Sequence, residues 1–411
     1  MYSKLEIPTD ISIVWEKLVQ PGGRIVYLIL DGGGGLPHPE TGKTAYQEAH
    51  TPNLDQLAQS SSCGLLELVG PGITPGSGPG HLALFGYHPL RYTLGRSVLS
   101  ALGIDFPLQE GDVAARVNFA TVDTEGRITD RRAGRIATET NQRLCEKIRQ
   151  AVQLDFEGEY FFETVSEHRA VFVLRGPGLN AKVQDTDPQS TGVFPYPAKA
   201  ETADSQQVAT LINAFIEQVR EVLSNEKSAN AILLRGFERY DLLPSLQDRF
   251  QLKGLCLAGY PMYRGVSRLL GMDLIDPPTS MEAAFEALGK HYGDEHDFYF
   301  LHVKGTDSRG EDDDFQGKVA VIEEVDGLLP KVLALDPEVL VITSDHSTPA
   351  VMAQHSWHPV PVLVHSRYAR VDKLPQFDEY HCLRGSLGLR PGVHLLGLAL
   401  AHAGRLKKFG A

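Results

Sequence analysis

The chain has 411 residues, 42% apolar and 22% charged, with a formal charge of -13. This is the composition of a soluble globular protein large enough for two domains, and an acidic chain without a Lys/Arg run excludes nucleic acid and anionic membrane as partners. Its apolar runs are strand-sized, residues 1–24 alternate charged with apolar positions, and Cys63, Cys145, Cys256 and Cys382 form no CxxC pair, so the expectation is a cytoplasmic protein without transmembrane segment, signal peptide, disulfide frame or thiolate metal site.

The first predicted element is the strand "RIVYLIL", which ends at Asp31 and runs into Gly32–Gly35. These glycines do not make a phosphate loop. A dinucleotide fingerprint started at Gly33 or Gly32 would need its third glycine at His38 or Pro37, and a Walker motif ending in Gly42, Lys43 and Thr44 would need its first at Pro37. Asp31 is therefore the residue of interest there. "TPNLDQLAQSSS" follows as a helix with Thr51 as cap and Pro52 in its first turn. In "TPGSGPGHLALFG", Ser77 stands between Gly76 and Gly78 at a loop that enters a helix. Pro75 occupies the place where a hydrolase elbow requires glycine.

Between roughly Gly111 and Arg235 the pattern changes to short strands, with a hairpin around Gly126, a strand at "RAVFVLRGPG" and an amphipathic helix in "SQQVATLINAFIEQVREVLSN". Residues 113–235 are accordingly expected to form an inserted α+β domain, and 1–112 with 236–411 the main α/β domain. Hinges are expected near Gly111 and Gly236. Within the insert, "DRRAGR" gathers Arg131, Arg132 and Arg135, and beyond it "YPMYRGVSR" sets Arg264 and Arg268 one helical turn apart. Arginine forks fit phosphate and carboxylate, so a substrate bearing both anions would account for them.

Two more buried strands follow. "FYFLHVKGT" leads to Asp307, and after the helical "DFQGKVAVIEEVDGLLPKVL", "EVLVITS" leads to Asp345 and His346. Ligands of open α/β sheets collect at the carboxyl ends of strands, where all three acidic positions fall. With Glu311, His355 and His358 nearby in sequence, the oxygen and nitrogen donors suffice for two divalent ions, Mg, Mn, Zn or Co rather than iron-sulfur. Ser77 is then a candidate nucleophile, activated by coordination beside a helix N-terminus that can hold phosphate oxygens.

Taken together, "ILDGGGGLP", "TPNLDQLA", "TPGSGPGHLALFGYHP", "NFATVDTEGRITDRRAGRI", "DTDP", "YPMYRGVSRLLGM" and "SDHSTP" resemble cofactor-independent phosphoglycerate mutase of the archaeal type, in the alkaline phosphatase superfamily, over nearly the whole chain. The resemblance implies an alkaline-phosphatase-like α/β core with a mostly parallel sheet flanked by helices, and a smaller inserted α+β domain that clamps phosphoglycerate. It implies two divalent metals, Mn or Mg before Zn or Co, and interconversion of 3- and 2-phosphoglycerate through a phosphoserine at Ser77. Asp31, Ser77, Asp345 and His346 correspond to the ligands of one metal, and Asp307 and His355 to two of the other. Arg264 corresponds to a cation facing the nucleophile, and Arg131, Arg132, Arg135 and Arg268 to substrate ligands. Glu311 departs from the pattern, since the archaeal members carry histidine four residues after this aspartate. The rival activities are a metal-dependent phosphohydrolase, a mutase for another phosphorylated metabolite, or a non-catalytic phosphate-binding paralogue.

Overall fold

The computed structural model describes residues 10–92, 95–293 and 295–410. The chain divides into two compact units, 1–93 with 243–411 and 94–242.

In the first unit, β1 (Ile25–Leu30), β2 (Ser62–Glu67), β3 (Gly254–Leu257), β4 (Asp273–Leu274), β5 (Phe298–Val303), β6 (Val339–Thr343), β7 (Val360–His365) and β8 (Gly388–Pro391) form one sheet in the order β8-β2-β7-β6-β1-β5-β3-β4. Every residue of β1 is buried, as its unbroken apolar run predicts, and β5 and β6 flank it in parallel. β7 alone runs against its neighbours, antiparallel to β6 and β2, so the sheet is mostly parallel. Val26, Leu28 and Leu30 face a core shared with Leu54 and Leu57 of the helix Pro52–Ala58, Phe285 of Met281–His291 and Ile322 of Phe315–Leu333. On the other face Tyr27 meets Phe85, while His81 of the helix Ser77–Leu84 and Tyr263 of Pro261–Leu269 pack against Phe300 and His302 of β5. Among the described residues no helix is long and apolar enough to cross a membrane.

The second unit is an antiparallel sheet. Strand Val113–Val122 lies between Arg169–Arg175 and Ala231–Arg239, and it turns at Gly126, where φ is +90°, to pair with Ile128–Asp130. Helices Thr138–Ala151 and Gln206–Val222 bury Leu144, Ile148, Ile212 and Phe215 against Phe162 and Phe172. This unit starts before residue 113, because the helix Arg96–Gly103 packs on the same strands. Ser97 Oγ donates to the Gly236 carbonyl at 2.5 Å and accepts from the Arg116 N–H at 3.0 Å. Gly111 and Gly236, expected at hinges, are instead internal to the unit. The N–H of Gly111 donates to Tyr240 O at 2.9 Å and that of Gly236 to Asp185 Oδ1 at 2.7 Å.

Candidate active site

Three neighbouring strands of the first unit end in the acidic positions. β1 delivers Asp31, β5 leads through Lys304 to Asp307 on the helix Gly305–Glu311, and β6 leads to Asp345 and His346. The glycine run is needed for this convergence. Gly32 has φ +59°, and a Cβ there would stand 2.4 Å from Thr348 Oγ1 and 2.7 Å from Asp307 Oδ1. Ser77 is the first residue of its helix, after Gly76 at the cap. One turn on, a Cβ at Gly80 would lie 2.2 Å from the Asp345 carbonyl oxygen, so glycine lets the helix start close against the end of β6.

The side chains meet around His346. Its Nε2 lies 3.2 Å from Asp31 Oδ1, 3.3 Å from Asp345 Oδ2 and 3.2 Å from Ser77 Oγ. Asp31 Oδ1 and Asp345 Oδ2 are buried with no hydrogen-bond donor among the described residues. Thr348 sets the tautomer. Its hydroxyl gives its proton to Asp307 Oδ1 at 2.6 Å and therefore accepts from His346 Nδ1 at 3.0 Å, which leaves the Nε2 lone pair of the neutral ring facing the carboxylates. His355 is oriented in the same way. Its Nδ1 donates to the Pro75 carbonyl at 3.1 Å, so Nε2 faces Asp307 Oδ1 at 3.5 Å and Glu311 Oε1 at 3.6 Å.

Ligand atoms of Asp31, Asp345 and His346 thus lie within 4.8 Å of one another, as do those of Asp307, His346 and His355. Unpartnered buried carboxylate oxygens and imidazole lone pairs aimed at them are the donor set a divalent cation takes, so the residues present fit the two ions. Burial would raise the Asp31 carboxyl, but the imidazoles of His302 and His346 beside it and the charge of Lys304 hold it well below the usual range. Burial opposes protonation of His346, but Asp345 and Asp31 outweigh it and lift the imidazole to about 9, so without a cation its Nε2 carries a proton that a divalent ion would displace to take the lone pair.

Glu311 ends its helix with a half-exposed side chain beside His355. His358 is elsewhere, bonded to Ser356 Oγ at 3.0 Å and stacked on Trp357. Arg264 is buried, and its Nη1 donates to the carbonyls of Ile275 at 2.8 Å and Ala258 at 3.5 Å, at the end of β3. One residue is about 100° of helix, and that step separates Arg264 from Tyr263, whose hydroxyl donates to Asp31 Oδ2. Arg268 is exposed.

The cation at the carboxylates is Lys304. Its Nζ lies 3.1 Å from Asp31 Oδ2 and donates to Asp307 Oδ2, and these two charges raise its pKa against the effect of burial. Sequence reasoning passed over Lys304, Tyr263, Thr348 and the buried Lys318. Lys304 carried a usable signal, being at the same strand end as Asp307.

The far side of the glycine run is held by Glu379, which accepts the Gly35 N–H at 2.9 Å and the Thr44 hydroxyl at 2.7 Å. Burial lifts this carboxyl to about 7 despite the relief from Thr44 and Gly35. A folded pKa above the unfolded one means that the contribution to stability is complete below about pH 4.5 and is lost as pH rises through 7. Glu379→Gln should therefore flatten the decline in stability between about pH 5 and 8, an effect of at most about 3 kcal/mol in urea unfolding. An equally steep decline in the variant would assign it to other groups.

The remaining arginines lie in the second unit. Arg131 donates from Nε and Nη2 to both oxygens of Asp187, at 3.0 and 2.7 Å. Arg132 and Arg135 are exposed on a loop where Ala133, Gly134 and Arg135 have φ of +47°, +66° and +53°.

A family model described as 2,3-bisphosphoglycerate-independent phosphoglycerate mutase matches residues 58–229. The chain is 48% identical over 406 residues to a probable 2,3-bisphosphoglycerate-independent phosphoglycerate mutase of Thermus thermophilus, covering 98% of this chain and 100% of that one. A protein of Aquifex aeolicus with the same description is 45% identical over 410 residues, covering 97% and 100%. Among solved structures, cofactor-independent phosphoglycerate mutase from Thermoplasma acidophilum superposes with a TM-score of 0.72 at 28% identity, covering 93% of this chain and 100% of that one.

Proposed function

The chain belongs to the family of 2,3-bisphosphoglycerate-independent phosphoglycerate mutases, and on that premise we propose that it interconverts 3- and 2-phosphoglycerate through a phosphoserine at Ser77. The observation that carries the assignment is Ser77 Oγ at a helix N-terminus, 3.2 Å from His346 Nε2 and beside two unpartnered buried carboxylate oxygens. Asp31, Asp345, His346 and Ser77 would hold one divalent cation, and Asp307, His355 and Glu311 the other. Such cations lower a hydroxyl's pKa and offset the charge of phosphoryl oxygens.

The chain's own groups supply the rest. Ser77 Oγ attacks phosphorus, its bond to phosphorus forms as the bond to the substrate's 3-oxygen breaks, and the freed oxygen takes up a proton. The free N–H groups of the helix Ser77–Leu84 hold phosphoryl oxygens, and Lys304 adds a fixed positive charge. The glycerate then turns, and its 2-hydroxyl takes the phosphoryl group back from Ser77.

The test is to supply 3-phosphoglycerate with Mn or Mg and follow 2-phosphoglycerate and free phosphate together. Isomerisation should need no 2,3-bisphosphoglycerate and should stop when the protein is dialysed against chelator. Predominant release of phosphate would replace the mutase by a phosphohydrolase, and activity surviving chelation would overturn the two-ion reading.

Glu311 bears on which ion is used. Two oxygen donors and one nitrogen favour Mn or Mg over Zn or Co as the activating ion, although direct competition still favours Zn in binding. Glu311→Ala should lower both bound metal and turnover, by about 10-fold or more if the residue is a ligand. Glu311→His should restore binding and shift preference towards Zn or Co. Metal content and turnover unchanged in the alanine variant would leave Glu311 a surface carboxylate.

A further inference from the structure

The three buried carboxylates at the strand ends of the first unit are divided in the same way, one oxygen held by the protein and the other turned to the imidazoles. Asp345 Oδ1 accepts the N–H of Gly32 at 3.1 Å, and its Oδ2 has no donor among the described residues. Asp31 Oδ2 accepts the Tyr263 hydroxyl and lies 3.1 Å from Lys304 Nζ, whereas its Oδ1 has no donor among them either. Asp307 Oδ2 accepts from Lys304 Nζ, and its Oδ1, bonded by the Thr348 hydroxyl, faces His355 Nε2 at 3.5 Å.

Lys304 is the group common to both sets of ligands, since Asp31 belongs to one and Asp307 to the other. Its ammonium carries three protons. Three oxygens surround it, Asp31 Oδ2, Asp307 Oδ2 and the Tyr263 hydroxyl at 3.3 Å, and they account for all three protons. The Tyr260 ring, its centroid 5.2 Å from Nζ, adds a further attraction for the charge. Lys304 is therefore committed to the carboxylates, and Tyr263 closes the arrangement by accepting from Lys304 and donating to Asp31.

This division bears on which divalent ion fits. Ca²⁺ takes about six to eight oxygens and readily draws both from one carboxylate, whereas Mg²⁺ and similar small ions are held by fewer protein oxygens at shorter range. A carboxylate with one oxygen tied to an ammonium or a hydroxyl offers a cation only the other.

We propose that Lys304, supported by Tyr263, is a positioning residue that sets metal selectivity: it keeps Asp31 and Asp307 monodentate and so favours Mn or Mg over Ca at both cation sites. The inference rests on the two-ion reading of these residues.

The experiment is calorimetric titration of the full chain, after dialysis against chelator, with manganese chloride and with calcium chloride, read as the ratio of the two dissociation constants. The ratio is the informative quantity, because loss of the lysine's charge alone would tighten both ions equally. In Lys304→Met both carboxylates regain an oxygen, and the preference for Mn over Ca should fall by about 10- to 100-fold. Tyr263→Phe takes a donor from Asp31 without changing charge. It should lower the preference in the same direction by a smaller factor, and it decides the matter should Lys304→Met fail to fold. Lys331→Met, which removes exposed ion pairs with Glu282 and Glu286, should keep the wild-type ratio.

Equal tightening of both ions in Lys304→Met would reduce the lysine to a counter-charge and overturn the inference. Equal weakening would do the same, since a loosened fold lowers both affinities without choosing between ions. A wild type that binds neither ion would overturn the two-ion reading and this inference with it, whereas Mn binding with a ratio unmoved in both variants would overturn this inference alone.

Discussion

Ser77→Ala should abolish phosphoryl transfer, by about 10³-fold or more, and leave the fold as stable as the wild type. The first half follows from chemistry, since alanine has no oxygen to bond to phosphorus. The second half follows from geometry. Ser77 is the first residue of its helix but not its cap. Gly76 holds that position, and no side chain caps the helix there. Alanine gives up the hydroxyl's bond with His346 Nε2, while the bond from His81 Nδ1 goes to the Ser77 carbonyl and persists. Stability should thus change by less than about 1 kcal/mol, the range of substitutions that create neither a cavity nor an orphaned group. The checks are isomerisation of 3-phosphoglycerate, urea unfolding, and mass spectrometry of the peptide containing residue 77 after incubation with substrate. Substantial isomerisation by the variant would reject Ser77 as nucleophile, and a phosphopeptide elsewhere in the chain would show what replaces it.

The parts of this site visible in the sequence are those at the ends of strand-length apolar runs. β1, β5 and β6 are such runs, broken only by His302 within β5 and Thr343 at the end of β6, and the residues beyond them are set by where the runs stop, so Asp31, Asp307, Asp345 and His346 could be gathered before any fold was known. Ser77 was marked by its flanking glycines. Spacing alone could not give direction around a helix. Arg264 and Tyr263 are neighbours in sequence, yet the tyrosine hydroxyl reaches Asp31 while the arginine Nη1 donates to the Ile275 carbonyl. Nor did local pattern reveal the antiparallel β7, since "VPVLVH" reads as a strand equally well in either direction. "DRRAGR" is conspicuous as a string, whereas Arg116 and Arg235 lie far apart in sequence and meet only through the register of two strands.

Lys318→Met should cost about 3–5 kcal/mol of stability and lower activity by about 10- to 100-fold, although Lys318 touches none of the proposed ligands. In the helix Phe315–Leu333, Lys318 falls on the face that buries Phe315, Val319 and Ile322, where the pattern calls for an apolar residue. It stays there because its ammonium donates to three backbone carbonyls, those of Gly32 at 2.7 Å, Gly34 at 3.0 Å and Thr348 at 2.8 Å. Burial pulls its pKa down to about 8, against the pull of Glu379, Asp307 and Asp31. Methionine fills similar space but leaves those carbonyls without their charged donor. The loop Gly32–Gly34 and the Thr348 backbone would then lose their common anchor, and with them the placement of Asp31 and of the Thr348 hydroxyl that orients His346. A displacement of about 1 Å at such a centre is enough for a loss of about 100-fold. Lys331→Met in the same helix is the control. Its exposed ion pairs with Glu282 and Glu286 should matter by no more than about 0.5 kcal/mol. Urea unfolding, turnover and metal content measured on both variants separate the outcomes. Lower stability with unchanged turnover and metal would make Lys318 an anchor of the core alone, and a variant as stable and active as wild type would show that the glycine run holds its shape without it.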